Sequence, residues 1–89
     1  MNRILQIYSM RMMEEPLDLA KFLKEIKSGI HGYFKREEII EFLDMMRKSI
    51  ISNIHLKAQE DPKFSQGASK AILETEKFIN SFKEFVNED

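Results

Sequence analysis

No cysteine occurs in the 89 residues, which excludes disulfides and thiolate metal sites. That absence suits a reducing cytosol, and a cytoplasmic location is the expectation. Glycine and proline are scarce, three and two, and strand signals are few, so good helix formers dominate the chain. Neither sign of charge prevails: 14 basic residues face 15 acidic ones, for a net charge of −1. Such a balance supplies no long-range pull toward nucleic acid or an anionic membrane. No apolar run approaches the ~20 residues that a membrane span needs. The opening "MNRILQIYSMRMMEEP" is interrupted by Arg11 and lacks a small-residue cleavage site, so no export signal is expected.

What remains is a short chain with a thin stability margin. At this length only about 60–65% of the unfolded surface is buried on folding. Small domains commonly draw on disulfides, metals or self-association. Cysteine is missing, and two histidines far apart make a poor metal site. Self-association is the support left, and an oligomer is expected.

The periodicity predicts three helices behind an N-terminal arm, all within one helical domain, 1–89. In the arm, residues 1–15, Leu5, Tyr8 and Met12 fit helical spacing, whereas Tyr8, Met10 and Met12 alternate with Ser9 and Arg11 as in a strand. A lone strand has no partner in a helical chain, so helix is the preferred reading. Pro16 suits the first turn of a helix over 16–30, with Glu14, Glu15 and Asp18 near its positive pole. Leu19, Phe22, Leu23, Ile26 and Ile30 form its apolar stripe, and Gly29 and Gly32 end it. A second helix is predicted over 33–59, with Ile39, Phe42, Leu43, Met46, Ile50 and Ile54 on one stripe and Ile40, Ile51 and Ala58 widening it. Asp61 and Pro62 break the chain and open a third helix over 62–88, with either Asp61 or Ser65 as its cap. Phe64, Ala68, Ala71, Thr75, Phe78, Phe82 and Phe85 recur at heptad spacing, with Ile72, Ile79 and Val86 beside them. The fold expected is all-α: a long antiparallel helical hairpin with a shorter N-terminal helix packed across it. The phenylalanine seam needs a cover, and a second copy is the simplest source.

Candidate chemistry is sparse. Ser65, Gln66, Gly67, Ala68, Ser69 and Lys70 stand where a helix start could hold an anion. The run lacks the strand and glycine spacing of a phosphate loop. Gly67, Ala68 and Ala71 read instead as small residues that let two helix axes approach, with Ser65 as a cap and Lys70 in water. The stretch "KSGIHGYFKREE", Lys27 to Glu38, resembles the calcium loop of an EF-hand at Gly32, Phe34 and Glu38. Its early ligand positions are Lys27, Gly29 and His31, where carboxylates or amides are required. It therefore reads as a helix–loop–helix corner. His31 and His55 have no second histidine or carboxylate at ligand spacing, and the bundle motif Glu-x-x-His is absent. Glu37, Glu38 and Glu41 read as a solvated face. No metal, cofactor or nucleophilic machinery is visible, so no enzyme is expected.

Tyr33 and Arg36, with Phe34, could stack a base or nucleotide, but in a loop beside a core they read as a lid. Arg36, Arg47, Lys48 and Lys57 share their helix with Glu37, Glu38, Glu41 and Asp44, unlike a one-sidedly basic DNA-reading helix. Met10, Met12 and Met13 form a cluster of adaptable thioethers that suits either a contact surface or the filling of gaps between the first and third predicted helices. The leading expectation is a non-enzymatic helical interaction module, the kind of small accessory protein common in bacteria and phages, that binds another protein and itself. Met10, Met12, Met13, Phe78, Phe82 and Phe85 are its candidate interface. The alternative is an oligomeric binder of a small anion or nucleotide through Tyr33, Arg36, Ser65, Gly67, Ser69 and Lys70. Nucleic-acid binding is a third reading.

Overall fold

Asn2 starts the first helix by taking the free N–H of Leu5 on its side-chain oxygen at 3.0 Å. A computed structural model describes residues 2–87, and among them there are four helices and no strand. They are α1 (Arg3–Glu14), α2 (Leu19–Ser28), α3 (Arg36–Glu60) and α4 (Pro62–Asn87). The all-α expectation holds. The chain divides into two compact units, Met1–Phe42 and Leu43–Asp89, so α3 contributes its first turns to one and the rest to the other.

In the first unit the predicted arm is a helix along nearly its whole length. Pro16 does not open the next one, as the sequence suggested. It restrains Glu15 to an extended conformation (φ −154°, ψ 155°) and so terminates α1. Glu14 and Glu15 therefore lie at the end of α1, not at the start of α2. The cap of α2 is Asp18, whose carboxylate accepts from the Ala20 N–H at 3.0 Å. The helix ends at Gly29, with φ at +79°, a left-handed conformation that glycine adopts without Cβ strain. Ile30 lies past that cap and is exposed, so it leaves the predicted stripe. Gly32 (φ +92°) then turns the chain in the link to α3. Tyr33, Phe34 and Lys35 lie in this link, before the helix that the periodicity had started at 33.

Phe22, Leu23 and Ile26 of α2, Ile4 of α1, and Leu17, Phe34 and Phe42 are buried. Tyr8, Phe22 and Phe42 meet as three tilted or edge-on rings with centroids 5.1–5.8 Å apart. Each such pair adds about 0.5–1.5 kcal/mol beyond the burial of its area. Asn2 and Arg3 pin the start of α1 to the start of α3. The Asn2 amide donates to the Glu38 carbonyl at 2.9 Å. Arg3 forks onto the Glu38 carboxylate at 3.0 and 2.9 Å and lies 5.0 Å above the Phe34 ring.

The second unit is the expected antiparallel hairpin. Cross-helix partners converge on the chain reversal: Asp44 with Lys83, Arg47 with Glu76, Lys57 over the ring of Phe64. The reversal needs one residue between helices, because Asp61 caps α4 and Pro62 supplies its first position. The Asp61 carboxylate accepts from the N–H groups of Lys63 (3.0 Å) and Phe64 (3.4 Å). Ser65 is not the cap; its hydroxyl donates to the Pro62 carbonyl. Residue 88, included in the predicted helix, lies outside the described residues.

The seam on α4 differs from the one expected. Ile79 is fully buried, whereas Phe78 and Phe85 keep 38% and 41% of their surface in water. The line turned inward is Ala68, Ile72, Thr75, Ile79, Phe82 and Val86, buried or half-buried throughout, with the same alternation of four and three. Two adjacent stripes on α4 are apolar, and their combined arc is wider than one facing helix covers. The ion pairs of Glu76 and Lys83 sit on the Ile72–Ile79 side, in keeping with a rotation that buries Ile79 and leaves Phe78 and Phe85 partly in water.

Candidate functional site

Three features stand out: an ionic cluster in the first unit, and a ridge and a groove in the second.

The cluster centres on Glu25 of α2. One of its carboxylate oxygens takes both Arg11 of α1 and His31 Nε2, the latter at 2.7 Å. Arg11 reaches on to Glu15 at 2.6 Å. The hydrogen bond from His31, then that from Arg11, holds the Glu25 carboxyl below its ordinary range, against a desolvation cost that acts the other way. The Phe22 ring lies 5.5 Å from the imidazole. Among the described residues no nucleophilic side chain is bonded to His31, and the groups of the cluster pair with one another. The arrangement ties α1, α2 and the following turn together. Sequence spacing did not show it, because Arg11, Glu25 and His31 come from three separate elements.

At the other end of the unit, Glu38 is occupied by Arg3, which also lowers its pKa through a hydrogen bond and its charge. The residue at the terminal position of the EF-hand-like stretch is thus neutralised within the fold. Among the described residues, no three histidines or acids converge on a metal-sized site.

The residues put forward for an anion or nucleotide are not gathered into a cavity. Tyr33 is exposed in the link, along the rim of a shallow pocket of about 380 Å³ that Ile26, Phe34 and Ile39 also line. Arg36 is exposed at the start of α3. Ser65, Gly67, Ser69 and Lys70 all face solvent on α4. They begin a turn after the true helix start, where Asp61 already holds the first N–H groups and adds a negative charge. Nothing lies within 4 Å of where a Gly67 Cβ would stand, so Gly67 does not allow a close helix approach there. Ala68 is buried and does pack at the interface.

The interface candidates lie largely outside. Met10, Met12 and Met13, toward the end of α1, are exposed. On α4, Phe82 is half-buried against Phe85, centroids 5.9 Å apart, and Phe78 and Phe85 stand further out. This is the ridge.

The groove was not legible in the pattern. It lies along the hairpin, holds about 560 Å³ and is open to solvent. Ile51, Leu56 and Ile72 supply its apolar surface; Arg47, Lys48, His55 and Glu76 rim it. Leu56 lies off every predicted stripe of α3 and is exposed. Lys48 and His55 have no ionic partner among the described residues, whereas Arg47 is 3.7 Å from Glu76. The cations of α3 therefore form no continuous stripe: Arg47 is paired and Lys57 covers a ring.

No protein-family model matches this sequence, and no curated protein or solved structure does either. The fold class is an all-helical chain whose second unit is an antiparallel helical hairpin. Among the described residues, no helix is long and apolar enough to cross a membrane.

Proposed function

We propose that this chain is a non-enzymatic helical interaction module that associates with itself and with another protein, in the manner of a small cytoplasmic accessory protein of a bacterium or phage. The observation that carries the reading is the position of Phe78 and Phe85. They lie seven residues apart on one side of α4, about two-fifths in water, with Phe82 behind them. Scattered apolar residues on a surface call for no explanation, but aromatic rings aligned on one stripe mark a contact face. The exposed methionines of α1 offer a second adaptable surface. The dispersed, partly paired cations favour this reading over nucleic acid, and the capped start of α4 favours it over an anion.

The test is sedimentation equilibrium across a concentration series, with the Phe78→Gln/Phe85→Gln double variant beside the native sequence. Glutamine keeps helix propensity while removing the rings. The native chain is expected to gain mass with concentration and the variant to remain monomeric. A native chain that stays monomeric throughout would end the self-association reading.

A further inference from the structure

We propose that the ridge of one copy inserts into the groove of the next, so that the chain assembles head to tail. This rests on the self-association reading above and adds what the ridge binds.

Glu74, Phe78, Ser81 and Phe85 fall four, three and four residues apart, so they form one exposed stripe along α4. Its length, from Glu74 to Phe85, is about 16 Å at the helical rise. The α3 wall of the groove, Arg47 to Gln59, is about 18 Å long by the same measure. The ridge offers two rings and the groove an apolar floor of Ile51, Leu56 and Ile72. One charge on each side is complementary: among the described residues Lys48 on the groove rim has no acidic partner and Glu74 on the ridge has no basic one. Lys70, Lys77 and Glu84 line the outermost edge of α4, beside the ridge and farther from its rings than Glu74.

The direction of assembly follows from helix geometry. At 100° per residue, Phe78 and Phe85 lie roughly 120–140° around α4 from Ile72, the residue that α4 contributes to the groove floor. Ridge and groove thus occupy opposite flanks of the hairpin. A copy that uses its ridge leaves its groove free, and a contact between two different patches propagates into a ring or a filament instead of closing as a two-fold dimer.

Three proteins test this: the native chain, a ridge variant (Phe78→Gln/Phe85→Gln) and a groove variant (Lys48→Glu/Leu56→Gln), each checked for native helix content by circular dichroism. The native chain should sediment as a series of species beyond dimer. Each variant alone should stay monomeric, with self-affinity reduced at least about tenfold. Their mixture should form one heterodimer and stop, since only one intact ridge and one intact groove remain. If the ridge variant loses helix, Glu74→Lys replaces it, and mixing it with Lys48→Glu should restore association through the swapped charges. A native chain that associates, is abolished by the ridge variant and is untouched by the groove variant would mean that rings pair with rings; the head-to-tail arrangement then falls and the interaction module stands. A mixture that fails to associate also overturns the arrangement. A native chain monomeric at every concentration removes both.

Discussion

Two neighbours on α4, Phe78 and Ile79, should respond oppositely to their size when cut to alanine. Ile79 is fully buried, and truncating a buried isoleucine costs about 2–5 kcal/mol, the transfer term plus the cavity left behind. Alanine's better helix propensity returns about 0.4 kcal/mol. Phe78 is larger, but 38% of its surface is already in water. Full burial of such a side chain is worth about 1.5–3 kcal/mol, so its partial burial is worth about 1–2 kcal/mol, and solvent fills the space without a cavity. After the propensity gain, Phe78→Ala should cost about 1 kcal/mol. A chain of 89 residues has about 4–13 kcal/mol in total, so Ile79→Ala alone removes a large fraction. Urea unfolding followed by circular dichroism reads both. With a slope of about 1–1.5 kcal/mol per molar, Ile79→Ala lowers the midpoint by about 2 M and Phe78→Ala by less than about 1 M. Measurement at low protein concentration separates folding from association, because any interface share of the Phe78 effect grows with concentration. Equal costs at low concentration, or a larger one for Phe78, would refute the rotation assigned to α4.

The glycines should split by backbone conformation. Gly67→Ala is expected to raise stability by about 0.5–1 kcal/mol, since the site is mid-helix with open space around it. Gly29→Ala should lower it by about 1–2 kcal/mol despite equal space, because φ is +79°. Thermal unfolding of the two variants reads the signs directly. The Glu25 carboxyl is held below its ordinary value of 4.5 in the folded chain, so in the acid range the unfolded state binds the extra proton. Its contribution is therefore complete above the unfolded pKa and is lost as pH falls through the folded one. Glu25→Gln should flatten the acid limb of the stability profile below about pH 5; an unchanged limb would show that the cluster contributes nothing there.

Much of the local structure was written in the residues themselves. Apolar spacing placed helices over most of the lengths observed, Gly29 ended α2, and Asp61 with Pro62 opened α4, because helix periodicity and capping act within a few residues. Where two local signals competed, the sequence misled. Pro16 suited a helix start as well as a stop, and the extended Glu15 and capping Asp18 decided for a stop. Ser65 and Asp61 both suited a cap, and the one that met the free N–H groups took the role.

The candidate site depended on tertiary structure throughout. Two apolar stripes on α4 are equivalent by pattern, and only the rotation against α3 decided that Ile79 goes in and Phe78 stays out. The groove joins Lys48 and Leu56 of one helix to Ile72 of another, and Glu25 collects Arg11 and His31 from different elements. The chain's periodicity determined which residues share a side of a helix, since that follows from the 3.6-residue turn. Which side faces protein and which faces water is set by the neighbour it meets, and no property of a single helix contains that.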